Sequence, residues 1–572
     1  MFRRSFLTRV GGAVVLLTSC SLLAQVQNSG ASTKSQTAKP AVARPKLTTE
    51  QQRGLRLLKQ AEAQAGSLEP DMRAYVLWCV SVGYSKIDHA KSDRLLSQAF
   101  LATQSIEQGP EEEDACQRSS TCRTKNWLQS SLLNAMMDRS ADEVVQLLPN
   151  ADPVPRKQAT AALAKLYIKR KDYARALSFL TQIADKDHYP FDTAGDLFLA
   201  LPKESPDRLT LFSQAQENSG QFGSGPGAPQ TDFSTMLLRI WRQLPPATAL
   251  SAVDDLLQQA KDQDDKSQSF HMSFGTDKGS VSFNSAYQLR LFQMIPILDE
   301  LDHERAQSLL RENNEVQSML TQYPHGMQSL DPATYQDQPS DASKSRIRSV
   351  RLSVGTPAPG QSLTESVEDQ IQRQIGKISS EASSDPKQAL SDAMNLPVSN
   401  PTGPPGFSSP RAVALMNIAN ASVEKNPAVA KSALDELRKN VDSLKPFQKG
   451  RNLSESARLY LTLGEIDSAK KCLEELQKAA EQTYKEDTDA DDPNQAFKAQ
   501  WPSTALWLDS VRLTARISSL LAEQTATAIE DPEISDAVRV AYANELIGAP
   551  ESSSDIVQWH KNGQSIMRFD KS

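Results

Sequence analysis

Aromatic residues are scarce in this chain, at 6% of 572 residues, and runs of β-branched residues are few. Strands are rich in both classes, so a mainly β fold is excluded. Ala, Leu, Gln, Ser and Lys dominate instead, which favours helices. At this length a single hydrophobic core is also excluded, so the chain must divide into domains or form an elongated array.

Local signatures of catalysis and metal binding are missing too. The chain has no Gly-x-Ser-x-Gly elbow and no Cys-x-x-Cys pair. Six histidines are scattered without the spacing of metal ligands: His89, His188, His271, His303, His325 and His560. Asp487 to Asp491 is spaced like the start of a calcium loop, but Asp492 replaces the turn Gly and Lys498 replaces the closing Glu, which predicts a solvated acidic loop. We therefore predict no catalytic residue, no metal ion and no cofactor.

The chain also lacks a basic stripe, and its formal net charge is -7 at pH 7. Binding to nucleic acid or to anionic lipid depends on clustered Lys and Arg. The charge balance therefore argues against nucleic acid as a partner. Contact with a membrane is expected only through a lipid anchor at the amino terminus.

The amino terminus has the layout of a signal peptide, which we assign to residues 1–24. Arg3 and Arg4 precede an apolar run from Gly11 to Leu17 that is too short to span a bilayer. The start is similar to a twin-arginine signal, and an ordinary secretory signal is the alternative. The four residues ending at Cys20 are similar to a bacterial lipobox, which predicts lipidation of Cys20; cleavage after Ala24 is the competing interpretation. Residues 25–46, rich in Ser, Thr, Ala, Gln and Pro, would then form a disordered tether.

Four further cysteines fall into two groups. Cys116 and Cys122 lie in a polar stretch, and their short separation in an oxidising compartment predicts a local disulfide. A zinc site would need two more ligands nearby, and none is present. Cys79 and Cys472 occur within helical patterns and are expected to be inert core residues.

The most regular stretch runs from Arg451 to Ala479 and reads as two short amphipathic helices joined at Gly464. Apolar residues recur three and four positions apart in each helix. The residues expected to pack the two helices together are Leu453, Ala457, Tyr460, Ile466, Ala469, Leu473 and Leu476. A second stretch repeats the order with Ala164, Tyr167 and Ala176, although Lys171 stands in the place of the turn Gly.

Both stretches resemble tetratricopeptide units, which have small residues at two packing positions, an aromatic late in the first helix and Gly at the turn. Weaker copies of the second-helix pattern recur elsewhere. They centre on Ala90, Ala141, Ala249, Ala306, Ala389 and Ala430. The alternative is that Ala and Leu recur in any helical protein through composition alone.

These patterns predict an all-α fold, a superhelical array of antiparallel helix hairpins with one small β insertion. We place an N-terminal repeat segment at 47–321, a flexible linker at 322–363, C-terminal repeats at 364–550 and a tail at 551–572. Alternating Phe and Met residues predict a β-hairpin at about 268–285, either a flap beside a groove or a decorated loop. Arg346 to Val354 could add a third strand to it.

The resemblance to tetratricopeptide proteins implies that a protein or peptide binds in a concave groove and that the chain is not an enzyme. Together with the signal peptide, it predicts an exported scaffold, periplasmic or held to the membrane through Cys20. Two alternatives stay open. One is an exported enzyme whose site has no familiar motif, and the other is a structural spacer without a specific ligand.

Overall fold

Helices make up most of the chain that the computed structural model describes, and a small sheet is inserted among them. The prediction of an all-α fold with a small β insertion is confirmed. The described residues are 47–107, 120–183, 189–219, 232–266, 270–276, 279–335, 347–354, 367–399, 406, 409–489 and 497–549. The predicted signal peptide, Cys20, the tether and the tail lie outside them.

Helices of one to six turns precede the sheet. They are α1 (Thr49–Gln64), α2 (Pro70–Tyr84), α3 (His89–Ala102), α4 (Ser120–Met137), α5 (Ala141–Leu147), α6 (Pro153–Lys169), α7 (Tyr173–Leu180), α8 (Phe191–Ala200), α9 (Asp207–Glu217), α10 (Phe233–Ile240) and α11 (Pro246–Lys266). Single 3₁₀ turns extend α1, α3, α5 and α10.

Three strands and five helices form the middle of the chain. They are β1 (Phe270–Thr276), β2 (Gly279–Phe283), α12 (Ala286–Leu301), α13 (His303–Glu312), α14 (Asn314–Gln322), α15 (Met327–Leu330), α16 (Pro332–Tyr335) and β3 (Ile347–Val354). The rest of the described chain is helical again. Its helices are α17 (Val367–Glu381), α18 (Pro386–Ala393), α19 (Pro410–Ser422), α20 (Pro427–Asn440), α21 (Pro446–Thr462), α22 (Ile466–Asp489), α23 (Pro502–Ile517), α24 (Ser519–Thr527) and α25 (Pro532–Ile547).

Local sequence explains where many of these helices begin. Side chains that accept a hydrogen bond from a backbone N–H of the first turn cap several of them, and Thr48 forms a capping box with Gln51 at the start of α1. Other helices begin at Pro, whose fixed φ suits the first helical position and whose missing N–H costs nothing there. Pro153, Pro446 and Pro502 are examples.

The sheet has the strand order β2-β1-β3, and both pairings are antiparallel. Met272 of β1 lies opposite Phe283 of β2 on one side and Leu352 of β3 on the other. The side chains of Met272, Phe274 and Phe283 are fully buried, and the Phe283 ring lies 5.2 Å from that of Phe292 in α12. The predicted hairpin and the third strand are therefore both present, and the apolar face of the hairpin packs on a helix as a small sheet requires.

Buried apolar side chains form two clusters. The first draws mainly on the chain from Leu58 to Tyr335 and adds six residues between Phe497 and Ile547, and the second draws on the chain from Ile371 to Tyr542. Residues 322–363, assigned to a linker from the sequence, contain α15, α16 and β3. The position of the domain boundary stays a prediction, because most of residues 336–366 lie outside the described chain.

The end of the described chain packs against its beginning. Helix α25 contacts α1 and α2, and it also packs on α23 and α24. The amide of Asn544 donates a hydrogen bond to the backbone oxygen of Cys79 at 3.0 Å. Phe497 lies between Tyr75 and Trp127, with ring centroids 6.0 and 5.8 Å away. The first cluster therefore includes residues from near both ends of the chain, such as Ala543.

Among the helices that the structure describes, none has the length and hydropathy needed to cross a bilayer.

Candidate binding pocket

The packing residues predicted from the sequence belong to two separate helix pairs. Nine of the ten are buried, at 3% exposure or less: Ala164, Tyr167, Ala176, Leu453, Ala457, Tyr460, Ala469, Leu473 and Leu476. The first three belong to the α6–α7 pair and the others to α21–α22. The prediction that Ile466 packs between the helices is wrong, because this first residue of α22 follows the turn directly and is 41% exposed. Gly464 has φ +74° at the second turn, and Lys171 has φ 61° at the first. The two turns therefore share a left-handed residue, although one of them is not Gly.

A tyrosine–aspartate hydrogen bond is a second feature that the two pairs share. Tyr460 donates to Asp435 Oδ1 at 2.6 Å, and Tyr167 lies 3.4 Å from Asp142 Oδ1; each pair is 25 residues apart. Burial, together with the hydrogen bond to the Asp435 carboxylate, raises the pKa of Tyr460 well above its ordinary value. Sequence reasoning missed both aspartates, although their constant spacing from the tyrosine was available as a signal.

The remaining chemical candidates are dispersed. His271 is exposed on β1 and contacts Asn284, and His303 at the start of α13 contacts Asp299 near the end of α12. In the part of the chain that the structure describes, no group of three His, Cys, Asp or Glu side chains could hold a metal ion. Cys79 and Cys472 are buried, as predicted. Cys116 and the side chain of Cys122 lie outside the described residues, so their disulfide stays a prediction.

The interpretation of Asp487 as part of a solvated loop is wrong. Asp487 lies in the last turn of α22, is buried and accepts a hydrogen bond from the backbone N–H of Ser503 at 2.9 Å. Burial raises the pKa of its carboxyl group. Lys498 pairs with Asp531 and Glu533 instead. Asp487 thus joins the end of α22 to the start of α23, whereas Asp489 is exposed and Asp491 lies outside the described residues.

A pocket of about 490 Å³ lies where the end of α8, the start of α9 and the segment after α10 meet. Its apolar wall is formed by Phe198, Pro206, Leu209, Leu244 and Pro245. Its polar lining is formed by Lys203, Glu204, Ser205, Arg208, Arg242 and Gln243. The volume is in the range of pockets that take a small organic group or a side chain.

Arg208 is the buried cation of this pocket, with 5% of its surface exposed. Its Nε and Nη2 donate to the backbone oxygen of Leu201 at 3.1 and 2.6 Å, and its Nη1 donates to Gln243 Oε1 at 2.7 Å. The guanidinium also lies 4.8 Å from the centre of the Phe198 ring. Burial lowers the pKa of Arg208, and the charge of Glu204 offsets part of that effect. The group keeps its charge, because a guanidinium is not deprotonated in proteins.

Other charges at the pocket compensate one another. Arg242 stacks on Trp241 at 4.3 Å and pairs with Glu300 at 3.2 Å. Lys203 and Glu204 are both exposed neighbours of opposite sign. The acceptors around Arg208, in contrast, are a carbonyl and an amide, which are neutral. The pocket therefore has an excess positive charge at its buried end.

Sequence reasoning missed Arg208 but had a signal for it. Arg208, Leu211, Phe212 and Ala215 are buried, and they follow the spacing of an apolar helix face. A charged residue within such a face needs buried hydrogen-bonding or charged partners. A charge at that position in the pattern therefore indicates a candidate site.

No protein-family model matches this chain, and no curated protein matches it. The likeness of α6–α7 and α21–α22 to tetratricopeptide units therefore rests on their residues.

Proposed function

We propose that this protein is an exported helical-repeat scaffold that binds a protein or peptide partner at the cell envelope. The observation that supports the proposal best is the repetition of one helix-pair unit in α6–α7 and α21–α22. Both pairs have buried small residues, a left-handed turn and a Tyr–Asp hydrogen bond. Helix-pair repeats stack into extended surfaces suited to binding other chains.

The cell-envelope location rests on the amino terminus. Arg3, Arg4 and the apolar run before Cys20 favour export, and lipidation of Cys20 would hold the scaffold at a membrane. Mass spectrometry of the mature protein tests this part. An acylated Cys20 supports anchoring, and an unmodified amino terminus at Gln25 would contradict it.

Partner binding is tested by photo-crosslinking in the exported full-length protein. A photoreactive residue is introduced singly at exposed apolar positions, such as Leu209, Ile466 and Leu520, which have 51, 41 and 60% of their surface exposed. A scaffold gives a discrete adduct from one region of the surface at native expression levels. A structural spacer gives none from any position, and that result would refute the proposal.

A further inference from the structure

We propose that the pocket beside Arg208 binds a carboxylate group attached to an apolar side chain or peptide segment. The inference rests on the proposed function, since it assigns a chemistry to the part of the partner that enters this pocket. The carboxylate could come from an acidic side chain or from the carboxyl terminus of a peptide. Both sources present the same group to the guanidinium.

Arg208 is a buried cation whose hydrogen bonds all go to neutral acceptors. A guanidinium has five N–H donors, and three hydrogen bonds to neutral acceptors account for three of them. Burial of a cation without an opposite charge is costly, because its hydration is lost. A carboxylate would supply both the missing charge and acceptors for the remaining donors.

Two other buried arginines in the same part of the chain show the contrast. Arg239 pairs with Asp196, and Arg290 pairs with Asp232. Each of these cations forms an ion pair with a carboxylate of the chain itself. Among the described residues, Arg208 forms no ion pair or hydrogen bond with a carboxylate, although the charge of Glu204, an exposed residue of the pocket lining, acts on it without contact. Asp207 is the next residue to Arg208, but it does not line the pocket and is hydrogen-bonded by the Ser205 hydroxyl at 3.2 Å. Arg208 therefore differs from them in having an open pocket where they have an acid.

The apolar wall of the pocket indicates that the rest of the ligand is apolar. Leu209 is 51% exposed, and it lines the pocket together with the buried Leu244 and two prolines. An aliphatic group would cover these side chains and exclude water from the charged contact, which strengthens it. A free inorganic anion would leave the apolar wall exposed, so the carboxylate of a peptide fits better.

Matched peptides test the ligand class by saturation-transfer NMR with the purified full-length protein. N-acetyl-leucine is compared with N-acetyl-leucinamide, and N-acetyl-Asp-Leu-amide with N-acetyl-Asn-Leu-amide. We expect at least one acid to bind roughly tenfold more tightly than its neutral partner, because a hydrogen bond to a charged group is worth about 1.5–3 kcal/mol. The pair with the larger ratio identifies the source of the carboxylate. Equal binding within both pairs, or none, would overturn the inference.

Gln243→Glu is the decisive variant, because it keeps the shape of the side chain that accepts from Arg208 Nη1 and adds an internal carboxylate there. We expect the preference for the acid to disappear while the fold is kept. Gln60→Glu, on the exposed surface of α1, makes the same change in net charge away from the pocket. Retained preference in Gln243→Glu, or equal loss in both variants, would contradict a specific site.

One substitution and its control test the contribution of the apolar wall. Leu209→Ser should weaken binding of the acidic peptide severalfold, and Leu101→Ser, which alters a leucine of the same 51% exposure, should not. Equal effects of the two substitutions would argue against the pocket.

If the peptides bind but no envelope protein is crosslinked, the proposed function fails and the pocket assignment stands. If a partner is crosslinked but the peptides do not bind, the pocket assignment fails alone.

Discussion

The contact between α1 and α25 can be tested with one methyl group, at Gly54. A Cβ atom at this position would lie 2.8 Å from the backbone oxygen of Ala543, 2.8 Å from Ile547 Cγ1 and 3.1 Å from Leu546 Cβ. The backbone oxygen cannot move aside by a change of rotamer. We therefore expect Gly54→Ala to force α1 and α25 apart.

Two opposing effects determine how much Gly54→Ala changes the stability of the protein. Replacing Gly by Ala inside a helix stabilises that helix by about 1 kcal/mol. Overpacking of a tight contact costs about 1–3 kcal/mol. Gly376 of α17 provides the control, because it is exposed and has no heavy atom within 4 Å of its ideal Cβ position. The helix term is common to both variants, so the overpacking term of about 1–3 kcal/mol is their difference.

Native-state hydrogen exchange is the appropriate assay, because a chain of 572 residues is not expected to unfold in one step. In Gly54→Ala, the amides of α1 and α25 should lose protection by a factor of about 5–150 relative to the change that Gly376→Ala causes in the amides of α17. In Gly376→Ala, the amides of α17 should gain protection. A gain of protection in α1 and α25 as large as that of α17 in the control would refute the packing of these two helices.

Five further variants probe the repeated units and a buried thiol. By native-state hydrogen exchange, Lys171→Gly should stabilise the α6–α7 turn by up to about 1 kcal/mol, since φ 61° is unfavourable for a residue with a side chain. Gly464→Ala should destabilise its own turn for the same reason; a destabilising Lys171→Gly or a stabilising Gly464→Ala would contradict the shared conformation. Tyr460→Phe should cost about 1 kcal/mol, more than Tyr167→Phe, because its hydrogen bond is 2.6 Å long against 3.4 Å; equal losses of amide protection in the two helix pairs would refute this ranking. Burial raises the pKa of Cys472 from 9.0 to about 12, so its folded thiol holds its proton, and this stabilising contribution is lost as the pH rises from 9 towards 12. Cys472→Ala should therefore lose less stability than the unaltered protein over that interval, and parallel pH curves would contradict the assignment.

The elements of this fold that depend on neighbours in sequence were predictable. The alternation of Phe and Met in β1 and the three-and-four spacing in α21 and α22 each repeat with the period of the structure they form. Gly464 marked a turn because a residue without a side chain adopts positive φ easily. Even Lys171 was placed at a turn by its register, although its own type does not favour that conformation.

Features that join distant parts of the chain were decided only by the tertiary structure. Gly54 and Ala543 are far apart in sequence, and no periodicity relates them, yet their helices touch. The burial of Asp487 likewise depends on Ser503, which local spacing does not bring to it.

The candidate pocket is also a feature that joins separate parts of the chain. The pattern of α9 placed Arg208 on a buried face, but whether a carboxylate meets it depends on which helices pack beside it. The sequence by itself determined the helices, the hairpin and the turns, because these follow from the conformational preferences of adjacent residues. The tertiary structure decided which buried charges are paired with acids and which are left facing a pocket, because that pairing is a property of side chains brought together from separate helices.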